Sequence, residues 1–327
     1  LKSSSFNILR RLGDGTFHSG EKIAADFGIS RASVWQALQP FGELGVEIFR
    51  VPGRGYRLRD PVEWLDRQRI AERLGEQRAL FDVEILEQAD STNRVLLQKA
   101  ALGAPGGSCV VAELQTAGRG RRGRSWLAAL GGGLTFSVLW RFEQGAGGLS
   151  GLSLAVGVAV LRALRAAGIQ DAQLKWPNDI VWSKRKLGGI LIEMQGDIGG
   201  PCAVVIGIGL NFRLAPAQRE QIDQPAVDLA TLGGILPSRN HLLADILRQL
   251  GDVLGDFGQR GFGALRQEWE SSHAHQDQPV LLTLPNGAQA TGLARGVSDD
   301  GALLLETVQG MKRFISGEVS LRGIAGS

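Results

Sequence analysis

Only two cysteines, Cys109 and Cys202, occur in the 327 residues, too few for the disulfide framework of a small secreted domain or for a thiolate metal cluster. That scarcity fits a reducing cytoplasm. A large excess of one charge is also lacking, with 36 basic residues against 33 acidic, and at 21% charged and 43% hydrophobic the composition excludes a disordered or fibrous chain. No apolar run is long enough to cross a bilayer, so no membrane partner is expected. The longest uncharged stretch, 144–161, is strongly apolar only from Leu152 to Leu161 and reads as a buried helix. The opening Leu-Lys-Ser-Ser-Ser-Phe lacks the apolar core and cleavage site of a secretion signal. A Gly-Lys-Ser/Thr tripeptide is absent, which excludes a P-loop.

The length implies two or three domains, and the charge is unevenly spread among them. Residues 1–60 hold nine Lys/Arg against six Asp/Glu, while the remainder balances at 27 of each. If nucleic acid is a partner, this first segment meets it. Between Gly20 and Gln39 the spacing is that of a helix-turn-helix: Ala24 is small where two helices cross, Gly28 permits the turn, and Ser30 is placed to cap the second helix. With Ile29, Val34 and Ala37 turned inward, Arg31, Ser33 and Gln36 face outward, where a recognition helix meets bases and phosphates. Trp35 is open between packing and contact. Two strand-like runs, 46–51 and 56–58, flank Pro52-Gly53-Arg54-Gly55 and read as a wing carrying Arg54, or as a plain surface hairpin.

Residues 62–74 have helical spacing and many charges, as in a connector, and the body begins near Phe81. Ser91-Thr92-Asn93 follows a short strand, where it either caps a helix over 94–101 or floors a polar pocket. The most informative segment is Gly118-Arg-Gly-Arg-Arg-Gly-Arg124. Glycine entropy and like-charge repulsion keep it from being a core element, so the loop is expected to be mobile until its amides and guanidiniums wrap a phosphate or a carboxylate. Formally it contains Gly-x-Gly-x-x-Gly, but without the apolar helix packing that a dinucleotide fold needs. Taken alone, it also fits an RNA-binding Arg-Gly segment. Farther on come Lys175-Trp-Pro-Asn-Asp179, then Lys184-Arg-Lys-Leu-Gly-Gly189, then the apolar strand 203–211, whose glycines mark a close approach to the backbone. Trp176-Pro177 reads as packing and a turn or as cleft lining, and Lys186 as a surface charge or a ligand. His273 and His275, an isolated His-x-His, read as surface.

In this order these motifs resemble the bifunctional biotin protein ligases that also repress biotin operons, along nearly the whole chain to Gly317-Glu-Val-Ser-Leu-Arg322. The resemblance implies an α+β multidomain protein. Its parts would be a winged helix-turn-helix over 1–60, a linker helix over 61–80, a catalytic domain with a central mixed β-sheet and flanking helices (class II synthetase-like) over 81–272, and an SH3-like β-barrel over 273–327. Alternation over 280–284, 289–293 and 303–306, with turns at 285–287 and 299–301, independently suggests the last of these.

By the same resemblance, ATP and Mg²⁺ activate biotin, a lysine of a biotin carboxyl carrier protein accepts it, and the adenylate-bound homodimer binds operator DNA. Biotin would lie against Ser91, Thr92, Asn93, Gln115, Arg119, Gly120, Arg121 and Lys186. The nucleotide would meet Arg121, Arg122, Lys175, Asn178, Asn211 and Arg322. Arg121, Lys186 and Asp179 would be catalytic, with Asn178 and Asp179 open between metal, phosphate and incoming lysine, and Arg322 open between nucleotide contact and domain docking. Trp176 and Gly207 to Gly209 would line the same cleft. One departure is Ala226, where well-studied members place a tryptophan over adenine; coupling of adenylate to dimerisation is therefore expected to be weaker. The rival readings are a biotin sensor without catalysis and a lipoate or octanoate ligase.

Overall fold

The computed structural model describes residues 2–128, 130–143, 145–196, 201–222, 224–284, 286–315 and 320–323. Helices α1 (Ser3–Arg11), α2 (Gly20–Phe27) and α3 (Arg31–Glu43) pack around Phe6, Leu9, Ile23, Val34, Leu38 and Phe41, and the hairpin β1 (Ile48–Val51) with β2 (Gly55–Leu58) follows as a wing. Gly28 closes α2 at φ 62°, the left-handed conformation that a bare Cα adopts without strain, and Ser30 caps α3 by accepting from the Ser33 amide at 3.0 Å. Ile29 departs from expectation: it is exposed, because it sits on the apex of the turn before the cap.

The connector is α-helical in α4 (Arg67–Leu74), which runs on into a 3-10 turn over Gly75–Ala79. Residues 62–66 stay outside the helix because their polar groups are engaged elsewhere. The Val62 amide donates to the Gly13 carbonyl, the Leu65 amide to Glu113, and the Asp66 side chain caps α4.

The body is a mixed sheet. Its strands are β3 (Asp82–Ala89), β4 (Ser108–Arg119), β5 (Ser125–Ala128), β6 (Gly133–Phe142), β7 (Ala172–Lys175), β8 (Asp179–Trp182), β9 (Arg185–Gly196) and β10 (Cys202–Asn211), in the order β3-β4-β6-β10-β9-β8-β7 with β5 on β4. Among the described strands of this sheet, only β3 and β4 pair in parallel. Alternation along β4 and β10 sends Cys109, Val111, Val204, Ile206 and Ile208 to the face covered by α6 (Leu152–Ala166) and α8 (Arg239–Arg260). Val110, Ala203 and Val205 meet α5 (Thr92–Ala101) on the other face. The apolar stretch 147–166 that could span a membrane by length is 72% buried inside the protein, as a core helix is. Short helices α7 (Pro216–Gln221) and α9 (Arg266–Ser271) flank the body.

The C-terminal unit is an antiparallel sheet of the SH3-like kind: β11 (Pro279–Thr283), β12 (Gln289–Val297), β13 (Leu303–Thr307), β14 (Gly310–Phe314) and β15 (Ser320–Gly323), ordered β14-β13-β12-β11-β15. Pro285 of the expected turn lies outside the described residues. His273 and His275, expected at the surface, are both 4% exposed. Their segment pairs with the edge of β7, where the Leu174 amide donates to Ser272 and the Ala274 amide to Leu174, each at 2.8 Å.

Arg239 and Glu113 form an ion pair at 2.8 Å with side chains 2% and 0% exposed. The same guanidinium donates to the carbonyls of Glu63 and Gly133. This pair joins connector, sheet and α8 at one point. The N-terminal core also runs into the body through Leu114 and Leu130.

Candidate active site and nucleic-acid surface

A single cleft of about 840 Å³ opens over β4, β6, β9 and β10 and collects most of the expected residues: Ser91, Thr92, Asn93, Gln115, Arg119, Gly120, Arg121, Arg122, Lys175, Asn178, Asp179, Lys186 and Asn211. Its floor is a closed polar network. Gln115 Oε1 accepts from the Thr92 amide at 2.8 Å and from Thr92 Oγ1 at 3.1 Å. Ser137 Oγ lies 2.7 Å from Thr92 Oγ1 and 2.6 Å from Asn93 Oδ1, and Asn93 Nδ2 donates to Glu193 at 2.8 Å. Ser91 stands at the N-cap position of α5 but makes no side-chain cap bond, and it lines the cleft.

Gly207 and Gly209 admit this arrangement. A Cβ on Gly207 would stand 2.2 Å from Asn93 Oδ1, and one on Gly209 would stand 2.4 Å from the Trp126 ring. What approaches the strand closely is therefore the protein's own floor and indole.

The wall carries the charge. Arg121 Nη1 donates to Asn178 Oδ1 at 3.1 Å, and burial pushes its guanidinium below the ordinary range while Asp179 opposes the shift. Lys186 Nζ lies 2.7 Å from Asp179 Oδ1, both side chains largely buried. Arg119 instead turns to Glu193, which compensates its charge at the floor. Arg122 and Arg124 stand exposed at the rim. Asn211 donates to the Lys186 and Val227 carbonyls at 3.2 and 3.1 Å, so its amide positions the loop that carries Ala226 alongside Lys186. Trp176 is fully buried, its indole donating to the Gly301 carbonyl at 3.0 Å, so it also docks the C-terminal unit. The side chain of Arg322 lies outside the described residues.

Sequence reasoning missed four members. Trp126 lines the cleft with its ring centroid 5.8 Å from Lys186 Nζ, and Ser137 and Glu193 hold Asn93 of the floor by hydrogen bonds. The fourth is His275. Burial, then the Lys175 and Lys184 ammonium groups, push its imidazole down to about 4, and burial, then His275, pushes His273 to about 3.

The chain is 38% identical to the "Bifunctional ligase/repressor BirA" of Salmonella typhimurium, across 315 residues and 96% of each chain. The chain belongs to the bifunctional biotin ligase/repressor family. Another member, from Bacillus subtilis, is 33% identical over 93% of this chain and 94% of its own. The Biotin/lipoate A/B protein ligase family matches residues 85–211, the biotin protein ligase C-terminal domain 275–322, and a helix-turn-helix domain 5–57. Among solved structures, the biotin protein ligase of Aquifex aeolicus in complex with biotin and ATP superposes with a TM-score of 0.65 at 31% identity, over 74% of this chain and 99% of that one. The ligase/repressor family thus accounts for both the cleft and the module that precedes it.

On that module, Arg31, Gln36 and Arg54 are exposed and Ser33 is half-buried, its amide and hydroxyl meeting Ser30 in the cap. Arg54 lies over the Phe17 ring at 4.3 Å. Trp35 stacks on Tyr56 at 6.4 Å beneath Arg50 and yet is exposed, so both packing and contact stay open to it.

Proposed function

We propose that this protein joins biotin to the α-phosphate of ATP, forming biotinyl-5′-AMP and pyrophosphate, passes the biotinyl group to a lysine of a biotin carboxyl carrier protein, and represses biotin biosynthetic genes when the adenylate is bound. One observation carries the reading: a neutral polar floor, suited to a ureido ring, adjoins a wall where Arg121, Lys186 and Asp179 stand together. A carboxylate attacking a phosphate brings two anions together. Fixed cations in a partly dry cleft stabilise that encounter, and one such donor is worth about 2.7 to 4 kcal/mol of barrier. Arg121 and Lys186 supply them. Asp179 holds Lys186 in place and is positioned to take the proton of the incoming acceptor amine as that amine displaces AMP.

Among the described residues, no three His, Cys, Asp or Glu side chains are grouped to hold a metal. Asp179 Oδ1 and Asn178 Oδ1 are already engaged by Lys186 and Arg121. Mg²⁺ would therefore arrive on the ATP phosphates rather than in a protein cage.

The exposed Arg31, Gln36 and Arg54 would meet operator DNA, with Ser30 and Ser33 setting the start of the recognition helix. Dimerisation on adenylate binding is part of the proposal, weakened by Ala226. So are a cytoplasmic location, in keeping with free Cys109 and Cys202, and the four segments 1–60, 61–80, 81–272 and 273–327. The test is to incubate the protein with biotin, ATP, Mg²⁺ and a carrier domain and to map the modified residue by mass spectrometry. Biotin on one carrier lysine supports the ligase; tight biotin binding without transfer demotes the protein to a sensor.

A further inference from the structure

In the wing, β2 is braced on both sides. It pairs with β1 on one, and on the other the His18 amide donates to the Tyr56 carbonyl at 2.8 Å while the Tyr56 amide donates to the His18 carbonyl at 2.9 Å. Gly55 makes the second pairing possible: at φ 99° it brings β2 so near that a Cβ would stand 1.9 Å from the His18 carbonyl oxygen. The side chains of β2 are therefore presented on a fixed frame. Alternation sends Arg57 and its cross-strand partner Phe49 to one face, and Tyr56 with its partner Arg50 to the other.

Each face rests its arginine on aromatic rings. On the first, the Arg57 guanidinium lies 5.1 Å from the Phe17 ring and 5.0 Å from that of Phe49, and Arg54 lies over Phe17 at 4.3 Å. On the second, Arg50 lies over Trp35 at 5.0 Å, and Trp35 stacks in turn on Tyr56. Because Trp35 belongs to α3, Arg50 stands where wing and recognition helix meet, beside the exposed Gln36. A ring beneath a guanidinium attracts it through the quadrupole and restricts its rotamers, so less entropy is lost when the guanidinium meets an anion. Among the described residues, none of the three arginines has a carboxylate partner. Glu47 and Asp60, the acidic residues nearest in the chain, are taken by Arg59 at 2.7 and 3.7 Å. Arg57 Nε is buried without a hydrogen-bond partner, a cost that an anion drawn against the same guanidinium offsets. The chemistry that fits three such cations along one strand pair is a row of phosphates.

Resting on the reading of this module as DNA-binding, we propose that Arg50, Arg54 and Arg57 together clamp the sugar–phosphate backbone of duplex DNA, with Phe17 and Trp35 as the positioning residues that set the guanidiniums. A guanidinium lying on a ring keeps its edge N–H groups free, and those groups match phosphate oxygens rather than the pattern of one base pair. The wing therefore supplies affinity that does not depend on sequence, and α3 is left to read the operator.

The test is fluorescence anisotropy of a short labelled duplex of arbitrary sequence, titrated with the full chain in the presence of biotin and ATP between about 50 and 200 mM salt. The proteins are the parent, Arg50→Ala, Arg57→Ala, Arg57→Lys and Phe17→Leu. Each arginine-to-alanine variant lowers the log–log salt slope by about 0.9, the share of one phosphate, and weakens binding at the lower salt by about threefold to tenfold. Arg57→Lys restores the slope without the full affinity, because an ammonium has no planar fork to lie on the rings. Phe17→Leu keeps every charge, so its slope is parental while its affinity falls by about threefold. Arg50 is exposed, and Arg50→Ala decides the matter if Arg57→Ala fails to fold. Parental affinity and slope in both alanine variants overturn the proposal, as does parental affinity in Phe17→Leu. Losses seen with the protein's own promoter but not with the arbitrary duplex also overturn it, since the arginines would then be reading bases. Tighter binding to single-stranded RNA than to the duplex, lost in the same variants, would make this an RNA surface instead. If the parent does not prefer its own promoter, the operator reading fails, and the effect of the variants on the arbitrary duplex still decides the clamp; no binding to any duplex ends both.

Discussion

Replacing Glu113 by Gln removes one charge from the most deeply buried ion pair described, while conserving its shape. Arg239 keeps its donations to the Glu63 and Gly133 carbonyls, and the Leu65 amide keeps an acceptor in the new amide oxygen. What is lost is compensation of a guanidinium whose side chain is 2% exposed and whose Nε already lacks a partner. Breaking such a pair from one side costs about 3 to 5 kcal/mol. The retained carbonyl contacts place Glu113→Gln near the lower end, about 3 kcal/mol, or a fall of about 6 to 12 °C in Tm. Because the pair joins residues 63–65 to β4, hydrogen exchange should also quicken over 62–66. Calorimetry of Glu113→Gln, Arg239→Met and the double variant forms the cycle. The double variant should recover at least half of the loss, since no charge is left buried without its partner. A single-variant loss below about 1 kcal/mol, or a double variant that is merely additive, would refute the assignment of this pair as the joint between connector and body.

Three further outcomes are expected. Arg121→Gly should release biotinyl-5′-AMP faster than the parent, read as promiscuous lysine labelling of bystander protein; unchanged labelling contradicts its retention role. His273 and His275 have folded pKa values of about 3 and 4 against 6.5 when unfolded. Below pH 6.5 the unfolded chain therefore binds protons that the native state refuses. Stability is whole above pH 6.5 and falls by about 1.4 kcal/mol per histidine per pH unit beneath it. Carboxylates held low, such as Asp14 at about 2, lose their contribution only at more acid pH. Replacing both histidines with glutamine should accordingly flatten the stability profile between pH 6.5 and 5, and an unchanged slope contradicts the burial argument. Finally, Arg31→Ala should weaken DNA binding and lower the salt slope by about 1 without altering biotin activation, as gel shift and adenylation assays would read.

The helix-turn-helix was legible because its signals are local. The apolar spacing, the glycine turn and the serine cap lie within twenty residues, and only Ile29 was misjudged, since spacing cannot tell a turn apex from a helix face. The arginine loop and the Lys175–Asp179 run were legible because no core element tolerates them. Trp126, Ser137 and Glu193 were not, because the floor joins α5 to residues 44 to 100 positions away, and only strand register brings them together. Glu113 was hidden inside an apolar strand. The histidines read as surface because their burial comes from pairing with the edge of β7, a contact about a hundred residues distant in the chain.

The central claim is that the cleft activates biotin, and biotin-dependent ATP/pyrophosphate exchange measures that step directly. With Mg²⁺ present, exchange should require biotin, be absent with lipoate, and collapse in Lys186→Ala. Exchange with lipoate, or none despite tight biotin binding, would contradict the roles assigned to Arg121 and Lys186.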